Sequence, residues 1–185
     1  MEKIAVRELM VPLAKYATVA QGATLRDAVL ALEEAQSKIK GTAYRHRAVL
    51  VLNNAGNVVG KLSQMDIIQA LQPDFAQKLS ELNLSRFGIS SGSVKSMVGK
   101  RGLWNLPLNQ LCAGASRLCV KNVMYVPSEG EYIQVNASLR EAVHLLIIGH
   151  RHSLLVTEDD IVIGVLRLTD VFALVSEAIK EAPAT

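Results

Sequence analysis

The sequence predicts an α+β fold: two β-α-β-β-α repeats packed about a pseudo-two-fold axis, with a helical insert between them. The first observation is internal repetition in three blocks. Val6-Arg7-Glu8-Leu9-Met10 recurs as Val120-Lys121-Asn122-Val123-Met124, and Thr24-Leu25-Arg26-Asp27-Ala28-Val29 recurs as Ser138-Leu139-Arg140-Glu141-Ala142-Val143. Gly60-Lys61-Leu62-Ser63-Gln64-Met65-Asp66 recurs as Gly164-Val165-Leu166-Arg167-Leu168-Thr169-Asp170, in the same order along the chain. The second observation is that helix-spaced apolar stripes alternate with short continuous apolar runs. The third is that half of the 185 residues are hydrophobic, enough for a substantial core. Two similar units pack naturally face to face, and the cleft between them is a natural place for a ligand. The boundaries read as 1–72 for the first repeat, 73–117 for the insert and 118–182 for the second repeat.

Each element has a local reason. Val6 to Met10 is a short amphipathic segment stopped by Pro12, and Tyr16 to Val19 is a short strand. Thr24 caps a helix, with Asp27 completing a capping box, and Leu25, Ala28, Val29 and Leu32 fall at helical spacing. Ala48 to Leu52 is an unbroken β-branched and aliphatic run, the mark of a strand buried on both faces. Asn53 to Asn57 is a turn by composition, 58–62 is the returning strand, and Ser63 opens a helix ending before Pro73. The second unit repeats the order: strand 132–135, a helix capped by Ser138, strand 153–156, turn 158–160, strand 161–166 and a final helix 170–178. In the insert, Phe75, Leu79 and Leu82 keep helical spacing, residues 88–93 break it, and Trp104, Leu106, Leu108 and Leu111 form a second apolar cluster. Such stripes face a core more often than a partner, so the insert reads as a helical cap on one edge.

Several function classes are excluded or disfavoured. A net charge of +3 with both signs scattered gives no nucleic-acid footprint. No apolar stretch reaches the length of a membrane span. The N-terminus lacks signal-peptide character, and the two cysteines, Cys112 and Cys119, fit neither a metal motif nor a disulfide framework. The expectation is a cytoplasmic protein. His46, His144, His150 and His152 are not at metal-ligand spacing, so no metal site is expected. There is no nucleophile elbow, P-loop or dinucleotide fingerprint, and the chain is read as a non-enzyme. Met10 and Met124 read as gap-filling core residues.

A repeated β-α-β-β-α unit that closes on glycine, then Ser/Thr three residues later, then aspartate three residues after that, resembles the cystathionine-β-synthase (CBS) domain pair. Gly60 to Asp66 matches that pattern, while Gly164 to Asp170 carries Arg167 where the hydroxyl is expected. The resemblance covers about 3–72 and 117–180, leaving the insert outside. It implies a disc-like module whose clefts bind adenine nucleotides: AMP, ADP or ATP, or alternatively S-adenosylmethionine or NAD. It further implies Asp66 on the ribose hydroxyls and Ser63 on phosphate, with Thr18, Val19, Arg47, Ala48 and Val49 near the base in the same cleft. In the other cleft it implies Asp170 on ribose, with Thr169 beside it. Arg167 there either pairs with phosphate or blocks the cleft.

The residues support this chemistry independently, since a carboxylate accepts hydrogen bonds from a vicinal diol and a helix start favours phosphate. The plainer reading of Ser63-x-x-Asp66 is a capping box, the role assigned outright to Thr24–Asp27 and Ser138–Glu141. The functional expectation is a regulatory module that senses an adenosyl ligand and signals to a separate effector protein. The apolar excess and the resemblance both imply a homodimer. The alternative is a ligand-free scaffold for dimerisation or docking.

Overall fold

The computed structural model describes residues 4–38, 45–72 and 107–182. In the first repeat, β2 (Thr18–Ala20) runs parallel to β3 (Ala48–Leu52), which pairs antiparallel with β4 (Val58–Ser63). The second repeat has the same arrangement in β5 (Tyr132–Gln134), β6 (Ser153–Glu158) and β7 (Ile161–Arg167). Its sheet gains a fourth strand, β1 (Val11–Pro12), antiparallel to β7. The register slips at matching places, between Val51 and Leu52 and between Val156 and Thr157. A shared irregularity at equivalent positions is strong evidence for duplication, because a bulge is a specific feature of a strand pair.

Helices α2 (Leu25–Ser37) and α5 (Leu139–Ile148) start at the predicted caps. Thr24 Oγ1 accepts from the Asp27 amide at 3.2 Å while Asp27 Oδ2 accepts from the Thr24 amide at 2.9 Å. The buried face of α2 is Leu25, Ala28 and Leu32, and that of α5 is Leu139, Ala142 and Leu146. Helix α3 (Gln64–Gln69) follows β4, and α6 (Leu168–Glu181) follows β7. The continuous apolar runs of β3 and β6 are explained by double covering. Val49 packs toward Leu32 and Ala17, while Leu50 meets Leu155 and Val165 of the other repeat, with Tyr16 beside them.

The repeats exchange arms. Helix α1 (Val6–Leu9) docks on the second repeat: Val6 N donates to Ala137 O at 3.0 Å, Arg7 N to Val135 O at 3.1 Å, and Leu139 N to Ile4 O at 3.0 Å. The equivalent arm, 118–125, docks on the first repeat. Val120 N donates to Ala23 O at 2.8 Å, Lys121 N to Gln21 O at 3.2 Å, and Leu25 N to Leu118 O at 2.8 Å. Val6 is fully buried among Ile133, Leu139 and Ala142, and Val120 among Leu25, Ala28 and Leu62. Each such valine contributes about 1.5–3 kcal/mol by burial, so the exchanged arms tie the two repeats together.

The arms also explain the motif glycines. A Cβ on Gly60 would run into Met124 Sδ, and one on Gly164 would lie 2.6 Å from Val11 O and 3.2 Å from Met10 Sδ. The two methionines fill the space the glycines leave, as the sequence reading expected. Of the predicted insert, α4 (Leu108–Ala115) buries Leu111 and Ala115, and Ala115 joins the core of the first repeat. Phe75, Leu79, Leu82, Trp104 and Leu106 lie outside the described residues.

Candidate functional site

The closing motifs of the two repeats place equivalent aspartates at the third position of α3 and α6, with different partners. In the first repeat, Ser63 is both the last residue of β4 and the cap of α3. Its amide and hydroxyl donate to Asp66 Oδ2 at 2.8 and 2.7 Å, and its Oγ accepts from the Asp66 amide at 3.2 Å. Asp66 is buried. In the second repeat, Arg167 takes the capping position with the same extended backbone but no side-chain cap. Instead its guanidinium grips Asp170 through both oxygens, Nε to Oδ2 at 2.6 Å and Nη2 to Oδ1 at 2.6 Å. Both side chains are largely covered, at 12% and 17% exposure.

Arg167 lies on the wall of a cavity of about 560 Å³ between the repeats. From the first repeat, Tyr16, Ala17, Thr18, Ala31, Ala35 and His46 line it, with Lys15, Glu34 and Lys38 toward the rim. The tyrosine and histidine rings pack with centroids 4.4 Å apart, and His46 Nδ1 is 3.4 Å from Arg167 Nη1. Burial pushes the Tyr16 phenol up to about 12, with Arg167 pulling it down and Asp170 pushing it up by less. Burial, then the Arg167 charge, holds the His46 imidazole below its ordinary value; a hydrogen bond with the Lys15 backbone and the Asp170 charge oppose this. A neutral imidazole presents an acceptor nitrogen to the guanidinium. The wall is therefore an aromatic and aliphatic surface with a cation at one end, suited to a flat ring carrying an anionic group. A second cavity, of about 510 Å³, is lined by Asn57, Glu129, Tyr132, Gln134, Thr157 and Asp160 among others.

The sequence matches the CBS domain family over residues 6–73 and again over residues 115–177, together well over half the chain. The chain belongs to the CBS domain family. Solved structures agree in fold. The CBS domain of a CBS domain-containing membrane protein from Sphaerobacter thermophilus superposes with a TM-score of 0.60 at 19% identity, covering 94% of this chain and 88% of that one. CBSX2 in complex with AMP gives 0.57 at 18% identity over 96% and 98%. The cytosolic domain of the Mg2+ channel MgtE in complex with ATP gives 0.53 at 16% identity, over 90% of this chain and 46% of that one. No curated protein matches the sequence.

Within the CBS pair, the expected site residues lie in different parts of the fold. Thr18, expected beside Ser63 and Asp66, lines a cavity together with Arg167 of the other repeat, which is paired to Asp170. The reason is topological: β1 is hydrogen-bonded to β7, so the chain passing through the turn Leu13–Lys15 to Tyr16 starts beside the strand that ends in Arg167. Ser63 pairs within its own sheet opposite Ala48, and Gln64 N donates to Arg47 O at 3.0 Å. Ala48 and Val49 are buried in the sheet, Val19 packs on the core, and the Arg47 side chain is exposed. Thr169 sits half-buried in the first turn of α6. Tyr16 and His46 are the additions. Their pairing had no sequence signal, because it joins a strand entry to a loop thirty residues away.

At the place equivalent to His46, Arg151 packs its guanidinium against Gly130 and Gly149 and donates to Leu145 O at 3.4 Å. Among the described residues no helix is long and apolar enough to cross a membrane.

Proposed function

We propose that this CBS pair is a non-catalytic regulatory module that binds an adenine nucleotide or related adenosyl compound between its repeats and passes the change to a separate protein. The observation that carries this reading is the inter-repeat cavity, with Tyr16, Thr18 and His46 on one wall and Arg167 on the other. Its size suits a nucleoside monophosphate, and it is apolar where a base would stack and cationic where a phosphate would lie. The AMP and ATP complexes of CBSX2 and the MgtE domain support the ligand class. Ser63 and Asp66 are assigned to the pseudo-symmetric cleft, where a carboxylate already held by a cap could accept a ribose hydroxyl.

Binding acts by differential affinity for two arrangements of the repeats or protomers, and the exchanged arms make a change at one repeat felt at the other. Self-association is part of the proposal: Phe172 and Ile179, on α6, are 60% and 70% exposed, and Met65 and Ile68 on α3 are similarly bare. An intracellular setting fits the ligand class.

Thermal unfolding with AMP, ADP, ATP, S-adenosylmethionine and NAD tests the reading. A ligand at a hundred times its Kd stabilises by about 2.7 kcal/mol, a shift of roughly 5–10 °C for a domain of this size. At least one adenosine compound should produce it, and Thr18→Trp, which fills the cavity, should reduce it. No shift with any compound would favour the ligand-free scaffold.

A further inference from the structure

We propose that Arg151 is a built-in occupant of the second cleft, the one that ends at Ser63, so that each chain takes its ligand at the Thr18–Arg167 cavity alone. This rests on the ligand reading above and adds a stoichiometry and the residue that sets it. The repeats can be compared position by position. Thr18 pairs with Leu50 as Tyr132 pairs with Leu155, and Ala48 faces Ser63 as Ser153 faces Arg167. Tyr125 bridges Lys61 on β4 as Val11 pairs with Val165 on β7, so the second cleft ends at Ser63 as the first ends at Arg167. By the strand register, Gly130 stands where Tyr16 does and Arg151 where His46 does. Counted from the matching caps Thr24 and Ser138, Leu145 and Gly149 stand where Ala31 and Ala35 do.

Tyr16, Ala31, Ala35 and His46 all line the first cavity. In the second repeat the Arg151 guanidinium lies on the other three positions of that wall. Nη1 donates to Leu145 O at 3.4 Å, a Cβ on Gly130 would lie 2.9 Å from Nη2, and a Cβ on Gly149 would overlap Nη1. The space bordered by a tyrosine and two alanines in one half is therefore taken in the other by a charged group, and two glycines admit it.

Local structure explains why the arginine folds back. Strand β6 opens at Ser153, close behind the end of α5 at Ile148, whereas β3 opens at Ala48, well after α2 ends at Ser37. Helix α5 closes in a Schellman motif: Arg151 N donates to Leu146 O at 2.9 Å and His150 N to Ile147 O at 3.2 Å. His150 takes the left-handed conformation, φ 46°, which is uncommon for a residue other than glycine. That turn sends the Arg151 side chain back over the helix end. There the guanidinium meets the negative end of the helix dipole and shares the Leu145 carbonyl with the Gly149 amide. Among the described residues no carboxylate pairs with it. A ligand entering this cleft must displace the arginine, so its apparent affinity falls by the fraction of time the cleft stands open.

The test is calorimetric titration of the full chain with AMP and with ATP, read as equivalents bound per chain. Wild type should bind a single equivalent, and Thr18→Trp should remove it. Arg151→Ala should gain a second equivalent, which the double variant Arg151→Ala/Thr18→Trp retains. Gly149→Ala, whose methyl group matches that of Ala35 and displaces the guanidinium, should gain it too. A thermal cycle supplies a readout without ligand. Gly149→Ala should lower the melting temperature of wild type, but in the Arg151→Ala background it should leave it unchanged or raised, since nothing remains to displace and glycine's freedom in the unfolded chain is lost.

Two equivalents in wild type, or a single one in Arg151→Ala, would overturn the inference and leave the nucleotide reading standing. Loss of all binding in Arg151→Ala would make the arginine a ligand contact and would overturn it as well. If neither nucleotide binds any of these chains, the nucleotide reading falls and the thermal cycle alone decides: equal effects of Gly149→Ala in both backgrounds sink the built-in occupant, and unequal ones uphold it.

Discussion

Replacing Glu131 by glutamine should be among the most damaging single changes in this protein. The residue sits in the 3-10 turn Glu129–Glu131 before β5, and its side chain is only 6% exposed. Oε2 accepts from Lys61 Nζ at 2.7 Å, and Oε1 accepts from the Tyr125 hydroxyl and, at 3.3 Å, from the Ser128 amide. Lys61 is on β4 of the first repeat, and its backbone exchanges two 2.8 Å hydrogen bonds with Tyr125. Its ammonium also lies 5.5 Å from the Tyr125 ring centroid.

One carboxylate thus joins the first repeat, the linking arm and the second repeat. Glutamine keeps the shape but leaves Lys61, 15% exposed, without its counter-charge. Breaking a buried pair from one side costs about 3–5 kcal/mol. The lysine stem can carry part of the charge toward water, so the lower figure, about 3 kcal/mol, applies. That is a fall of about 6–12 °C in Tm, read by circular dichroism at pH 7. Lys61→Met alone should also destabilise, while the double variant should recover much of the loss, because two apolar or neutral partners need no counter-charge.

The pH dependence has a defined sign. Burial, the largest influence on Glu131, pushes its carboxyl up. The hydrogen bonds from Lys61 and Tyr125 and the Lys61 charge together outweigh it and hold the carboxyl below its ordinary value. Its stabilisation is therefore present above the unfolded pKa, about 4.3, and is lost as pH falls through the lower folded value. The advantage of wild type over Glu131→Gln should shrink in that acid window. Equal melting points at pH 7, or losses that simply add in the double variant, would refute the strut.

Three further outcomes are expected. His46 has its folded pKa held down by burial and by Arg167, so its contribution is complete above about pH 6.5 and declines as pH falls toward the folded value. In a pH series of urea midpoints, His46→Gln should flatten that decline. Gly164→Ala pushes a methyl against the backbone oxygen of Val11, whereas Gly60→Ala meets only the flexible Met124 side chain. The former should cost about 1–3 kcal/mol and the latter less, as measured by chemical denaturation. Ser63→Ala removes the α3 cap and should cost about 1 kcal/mol, while Ser63→Thr, which keeps both the acceptor for the Asp66 amide and the hydroxyl donor to Asp66 Oδ2, should cost less in the same assay.

Much of this molecule was legible residue by residue. The capping boxes at Thr24 and Ser63 and the cap at Ser138 start the helices where local hydrogen-bonding chemistry places them. Ala48 to Val51 became a doubly covered strand because an unbroken apolar run has no solvated face to offer. Strand and helix ends moved by a few residues: the first short strand is 18–20 rather than 16–19, and the last helix begins at Leu168 and runs to Glu181. Ends are set by backbone partners elsewhere, such as the Ala17 carbonyl that accepts from Leu50 N at 2.9 Å.

By itself, then, the order of residues determined the duplication, the secondary elements, the paired aspartates and the substitution of arginine for a hydroxyl, all of which are local in the chain. Only the tertiary structure decided which halves of the two motifs meet. Val6 lies in the core of the distant repeat, and Val120 in that of the first. Tyr16 and His46 likewise face Arg167 rather than Ser63. The physical reason is that each arm hides its valine best against a helix other than its nearest neighbour in sequence, and periodicity records that a residue must be buried without recording against what.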